Sequence, residues 1–370
     1  MKALARLGVR GVVPCPSAQP GPAAKPGPAA QLALAALLAP ASLLAANPSD
    51  ARHAASAPGI RSADNCAPML THADAPHEAA CFSMRYKGRE RTFCIYSRLR
   101  GHEPAPVILV LHGRGGTGAG MEWLTRRGFN RIADRESAIV VYPDGVAGGW
   151  NDGRPALAER ADAQNVDDLG FLRILPRAVA RRFAVDPLRV YAAGISNGGM
   201  MSLRLACDAA DVFAAVAAVG ADFPRELAAR CKPSRAISVA LINGTEDPVV
   251  PWQGGMIRAM RRELGEVLSS MATTERWVRI DHCGPLRAGE KVDMQADDQT
   301  LVIPHTARCV DDTEVQLHEV QGGGHTWPSG EQYLPEALVG RVSREIDANE
   351  VIWNFLVQHR LNAAAEETKL

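Results

Sequence analysis

The eleven residues YAAGISNGGMM (191–201) decide how this chain is read. An apolar run ends at a lone serine, Ser196, with Gly194 two residues before it and Gly198 two after, and a helical pattern, NGGMMSLRLACDA (197–209), starts directly behind. Small residues on both sides of a hydroxyl imply a sharp bend or a close approach by neighbouring backbone. G-x-S-x-G between a strand and a helix is the setting in which a serine stands exposed on a tight turn above a sheet, ready to act as a nucleophile. The plainer alternative is a glycine-rich turn whose serine caps the helix.

Outward from this turn, short apolar runs alternate with amphipathic stretches. VILVLHG (107–113), AIVVYPDG (138–145), RVYAAGIS (189–196), FAAVAAVG (213–220), AISVALING (236–244) and VQLHEVQGGGH (315–325) each end in turn residues. Helical patterns fall at 167–183, 197–209, 269–282 and 343–361. Continuously apolar strands must be covered on both sides. The chain is therefore expected to be α/β, a mostly parallel, doubly wound sheet with helices on both faces. Function in such sheets gathers where the strands end.

A serine hydroxyl needs a base to take its proton and an acid to orient that base, in the chain order Ser, acid, His. The acid is expected in NGTEDPVVP (243–251), behind the strand 236–244. Asp247 is the first choice, and Glu246 the near alternative with a solvated surface role as its plainer reading. Of ten histidines, His325 alone lies in a loop after the last strand run, in QGGGHTWP (321–328), and is expected to be the base. His112 is expected to orient the loop it sits in. An oxyanion needs preset backbone N–H donors. These are expected from Asn197, directly after the serine, and from Arg114 in LHGRGGT (111–117). That loop lacks the Lys-Ser/Thr pair of a phosphate-binding P-loop.

The remaining composition bounds the class. The 370 residues are 46% hydrophobic, and 41 basic side chains balance 41 acidic ones. No charge excess of the kind that nucleic acid or anionic membranes require is present. Residues 1–46 are expected to be a signal peptide, with Lys2, Arg6, Arg10 and Lys25 ahead of the apolar run LALAALLAPASLLAA (32–46) and small residues at its end. The run is shorter than the roughly 20 residues that span a bilayer. The basic leader is longer than usual for such a signal, which leaves the start site open. A disordered tether is expected at 47–64, a catalytic domain at 65–361 and a tail at 362–370. No membrane contact is expected after cleavage.

Cysteine usage fits export. No CxxC pair occurs, so no metal is expected. Cys207 is expected to pair with Cys231 and Cys283 with Cys309, while Cys81 and Cys94 flank two short runs joined by a Lys-Gly turn and are placed to bridge neighbouring strands. Cys66 is left over. Reduced, buried thiols are the alternative.

LHGRGGT, VVYPDGVAGGWNDG, DDLGFL, VDPLRVYAAGISNGGMMSLRLAC, NGTEDPVVPW and GGGHTWP together resemble the secreted α/β-hydrolase esterases of the polyhydroxybutyrate depolymerase type, a group that takes in feruloyl and acetylxylan esterases. The resemblance spans residues 86–361. It implies an α/β-hydrolase fold and a secreted, cofactor-free ester hydrolase with Ser196 as nucleophile, His325 as base and Asp247 as acid. Its substrate would be a small ester, a polyester oligomer or an acylated polysaccharide. Trp150 and Trp327 match family aromatics and would line the substrate pocket, unless they belong to the core. Asn243 departs from the pattern, which more often has His there. A peptidase or acyltransferase on the same scaffold and an inert binding protein are the rival readings. No Ser/Thr-rich linker or separate substrate module follows the catalytic residues, which favours soluble oligomers or small esters over crystalline polymer.

Overall fold

The computed structural model describes residues 67–68, 79–99, 103–154, 166–259, 262–295 and 298–362. The expected signal peptide, tether and Cys66 lie outside these residues, as does the tail from 363 onward.

Strands β1 (Ala67–Pro68), β2 (Ala80–Tyr86), β3 (Arg89–Ser97), β4 (Ala105–Leu111), β5 (Ile139–Pro143), β6 (Val185–Ile195), β7 (Ala215–Val219) and β8 (Ser238–Gly244) form most of one sheet. A separate hairpin, β9 (Gly255–Ala259) and β10 (Arg262–Val267), follows. The main sheet is completed by β11 (Arg287–Ala288), β12 (Leu301–Arg308) and β13 (Glu314–Gln321). The order is β1-β2-β3-β5-β4-β6-β7-β8-β13-β12-β11. The stretch from β5 to β13 is parallel, and both flanks are antiparallel. This is the expected α/β-hydrolase architecture, with β4, β5, β7 and β8 of the parallel middle carried by runs that are buried throughout.

Burial follows the period of two. In β4, Val107, Leu109 and Leu111 join one core layer, and Ile108 and Val110 join the other. The first layer is closed by Phe171, Leu172, Leu175 and Val179 of helix Asp168–Val179, by helix Asn197–Asp208 and by Trp277 of helix Ser270–Ile280. Phe129 and Ile132 of helix Gly128–Glu136 and Ile352, Trp353 and Phe355 of helix Ala348–Leu356 close the second. Each such side chain contributes about 1.5–3 kcal/mol by leaving water.

Two helices are shorter than their patterns. The first stops at Val179 because the next residues tighten into bonds from Arg181 to Ala178 and Arg182 to Val179. The last begins at Ala348, not Ser343: Asp347 caps it, while the Glu345 carboxylate accepts from Met294 and Gln295 and the Ser343 hydroxyl from Thr300. Strands β9 to β12 carry no clean alternation, and β12 holds Pro304, a residue that argues against a strand in sequence.

Disulfides join Cys81 to Cys94, Cys207 to Cys231 and Cys283 to Cys309. Cys81 and Cys94 are direct partners in the β2–β3 register. The Cys207–Cys231 bridge closes 24 residues between the end of helix Asn197–Asp208 and the end of helix Arg225–Arg230. A loop of that length is stabilised by about 3 kcal/mol through loss of freedom in the unfolded chain. Replacing both cysteines by serine is expected to lower the urea unfolding free energy by about that amount, and an unchanged midpoint at equal slope contradicts it.

Candidate active site

The serine turn is built by backbone crowding. Ser196 has φ 57° and ψ −122°, a strained conformation for a side-chain-bearing residue, directly between β6 and its helix. Crossing chains explain both glycines. A Cβ on Gly194 would stand 2.5 Å from the Gly198 carbonyl carbon, and one on Gly198 would stand 2.4 Å from the Leu111 oxygen. The hydroxyl-bearing residue is left half-buried at the carboxyl end of β6, a central strand.

Neighbouring strand ends bring the other expected residues close. Ser196 N–H donates to Val219 O at the end of β7. On the next residue, Gly220, a Cβ would lie 3.1 Å from His325 Nδ1 and 3.6 Å from Asp247 Oδ2. His325 and Asp247 are both buried, and His325 Nδ1 lies 2.6 Å from Asp247 Oδ2. A carboxylate only accepts, so Nδ1 is the nitrogen that donates to it and Nε2 is the one left for other partners. The other carboxylate oxygen accepts from the Val249 and Val250 amides at 2.7 and 2.8 Å, which fixes its rotation. Glu246 is exposed. The imidazole loop is held from behind, with His325 N–H bonded to Val339 O and Tyr333 Oη donating to His325 O.

The loop with Arg114 packs against the same turn: a Cβ on Gly113 would lie 3.4 Å from Ser196 Cβ. His112 uses both ring nitrogens here. Its Nδ1 lies 2.7 Å from Gly113 O, to which it donates, and Nε2 accepts from Gly145 N–H at 2.9 Å. Burial pushes its pKa down, which keeps this neutral tautomer. Gly115 N–H reaches Gly148 O. The segment 144–154 thus braces the loop.

The two tryptophans correct the expectation of a pocket lining. Trp327 is fully buried, edge-on to Phe129, with its indole N–H on Asn349 Oδ1. A side chain sealed into the core offers substrate no surface. Trp150 is buried too, donating to His112 O and packing on the His112 ring, so it supports the loop.

Asn243 occupies the position where the resemblance favours His. Its amide spans Ala221 N–H and C=O and reaches Asp222 Oδ1 and Ser270 Oγ. Asp222 is a buried acid that sequence reading passed over. Its Oδ2 accepts from Ser270 Oγ at 2.7 Å. Burial raises its pKa to about 7, and the nearby Asp247 charge pushes the same way. The folded state therefore holds a proton that the unfolded chain has lost between pH 4 and 7, and stability falls as pH rises through that window. Asp222→Asn is expected to remove this slope. The variant should gain a few kcal/mol relative to the parent between pH 4 and 8 in urea titrations, and a constant difference contradicts the assignment.

Residues 84–337 match the family model described as "Putative esterase". The chain is 33% identical over 262 residues to "Putative esterase NocK" of Nocardia uniformis subsp. tsuyamanensis, covering 69% of this chain and 75% of that protein. It is 28% identical to feruloyl esterase B of Piromyces equi over 63% of this chain, and 31% identical to a poly(3-hydroxybutyrate) depolymerase of Ralstonia pickettii over 30% of it. The matched part spans 42% of the feruloyl esterase and 24% of the depolymerase. An α/β-hydrolase sheet with a serine on a strained strand-to-helix turn defines the class, and the chain belongs to this esterase family. It is a carboxylic ester hydrolase.

Proposed function

We propose that hydrolysis runs through an acyl-enzyme on Ser196. His325 Nε2 takes the hydroxyl proton as the oxygen attacks the ester carbonyl, and Asp247 stabilises the imidazolium. The N–H groups of Asn197 and Arg114 hold the oxyanion. His325 then protonates the leaving alcohol, and water releases the acid by the same route. The observation that carries this is the buried 2.6 Å His325–Asp247 pair seated against Gly220, one residue beyond the Ser196 hydrogen bond to Val219.

The enzyme is secreted in this reading, which rests on the leader at 1–46 and on the three disulfides. Its substrates are esters of hydroxyalkanoate oligomers or of feruloylated polysaccharides, the classes its named relatives suggest, or of the acetylated polysaccharides that the sequence resemblance adds. A fluorophosphonate should label Ser196 and abolish turnover. A panel of p-nitrophenyl esters, feruloyl esters, polyhydroxybutyrate oligomers and peptide amides then ranks the substrates. Preference for the amides makes the chain a peptidase, and an unlabelled, inactive protein makes it a binding protein.

A further inference from the structure

The Asn197 side chain is buried and fully engaged, although its backbone N–H is the group that the proposed mechanism uses. Its Oδ1 accepts from Trp150 N–H at 2.8 Å, and its Nδ2 donates to Trp150 O at 2.9 Å and to Asp152 Oδ2 at 2.6 Å. The exchange with Trp150 has the form of one rung of a strand pair. Asp152 is itself buried. Its carboxylate receives Arg154 Nε at 3.0 Å on each oxygen and Nη2 at 2.6 Å, so the buried charge is paired. Arg154 Nη1 donates to Leu264 O of β10 at 2.6 Å, and its stem packs where Gly265 has no side chain. A continuous chain of charge-assisted bonds thus runs from the β9–β10 hairpin to the residue after the serine.

Helix start geometry gives this chain its purpose. Asn197 is the first residue of its helix, so its N–H has no partner within the helix and is available outside it. The direction of that N–H depends on the dihedrals of Ser196 and Asn197, and Ser196 is strained. Strain of this kind persists only where surrounding contacts over-determine it. An oxyanion donor must also be held within about 0.5 Å of its working position. The Asn197 amide group is anchored at three points, and the anchor is secured by Asp152 and Arg154.

We propose that Asp152 and Arg154 are positioning residues for ester hydrolysis, holding Asn197 so that its N–H stays directed at the oxyanion formed beside Ser196. The proposal rests on the acyl-enzyme reading above. Neither residue touches the substrate. Their loss should therefore act on the transition state and leave ground-state binding alone.

The test uses the full enzyme with p-nitrophenyl acetate and a feruloyl ester, with active sites counted by complete fluorophosphonate labelling. Asp152→Asn places an amide where only acceptors fit. Its kcat is expected to fall about 10- to 100-fold, within the cost of a displaced oxyanion donor, with KM changed less than threefold and the same factor for both esters. The rate of phosphonylation should fall in parallel, because the phosphoryl oxygen occupies the same hole. Arg154→Met should behave similarly, and Arg154→Lys, which keeps the charge but not the fork, should recover part of the loss. If the Asp152 variant does not fold, the Arg154 pair decides alone. Variants that melt earlier yet keep parental kcat per labelled site overturn the positioning role, as does a rise in KM at constant kcat. Ser196→Ala serves as the separating control: surviving turnover there sinks the acyl-enzyme reading itself, whereas a dead Ser196→Ala beside fully active Asp152 and Arg154 variants sinks only the positioning role.

Discussion

Ser196→Ala should fold like the parent and lose on the order of 10⁴-fold or more in kcat. Oγ is the atom that forms the acyl bond, and removing it leaves only water attack assisted by the amides of Asn197 and Arg114. At 1.36 kcal/mol per decade, four decades correspond to roughly 5.4 kcal/mol of lost transition-state stabilisation. Folding should be spared because the change deletes one half-buried oxygen and leaves both glycines and the bond to Val219 in place. Replacing His325 by Ala in the same protein should add little, since the two residues act as a unit and cannot each be lost twice. The measurement is steady-state hydrolysis of p-nitrophenyl acetate beside a thermal melt. A variant within tenfold of parental kcat, melting normally, leaves the mechanism without its nucleophile.

Gly198→Ala should cost the fold rather than the chemistry. The added carbon would stand 2.4 Å from Leu111 O and 2.5 Å from His112 O. Both are backbone atoms at the end of β4, a strand buried along its whole length, so neither yields without moving the sheet. Crowding of this kind belongs with the rare substitutions that cost more than about 4 kcal/mol. Gly284→Ala is the matched control, because its new carbon meets nothing nearer than Arg308 O at 3.7 Å. Soluble yield and urea midpoints separate the two. Equal midpoints would mean that the crossing of β4 and the serine turn is looser than the backbone distances say.

The strand, turn and helix around Ser196 were legible because their causes are local. Apolar residues fill β6, glycines stand where backbones cross, and NGGMMSLRLACD follows at helical spacing. Strands β4, β5, β7 and β8 were readable for the same reason, being buried on both faces. The rim was harder. Strands β11 and β12 owe their pairing to a neighbour, and residues 343–347 follow a helical pattern that their bonds to Thr300, Met294 and Gln295 override.

By itself the sequence determined the layered α/β frame, the serine turn and which acid and histidine lie behind late strands, since each depends on residue type at short spacing. Only the tertiary structure decided what those elements lean on. Arg154 meets Leu264 across 110 positions and Asn197 meets Asp152 across 45, and no pattern in the chain announces either contact. It likewise sent Trp327 to the core and gave Asn243 its partners. Burial and hydrogen bonding are properties of the place a side chain reaches, and that place is fixed by chain arriving from far away.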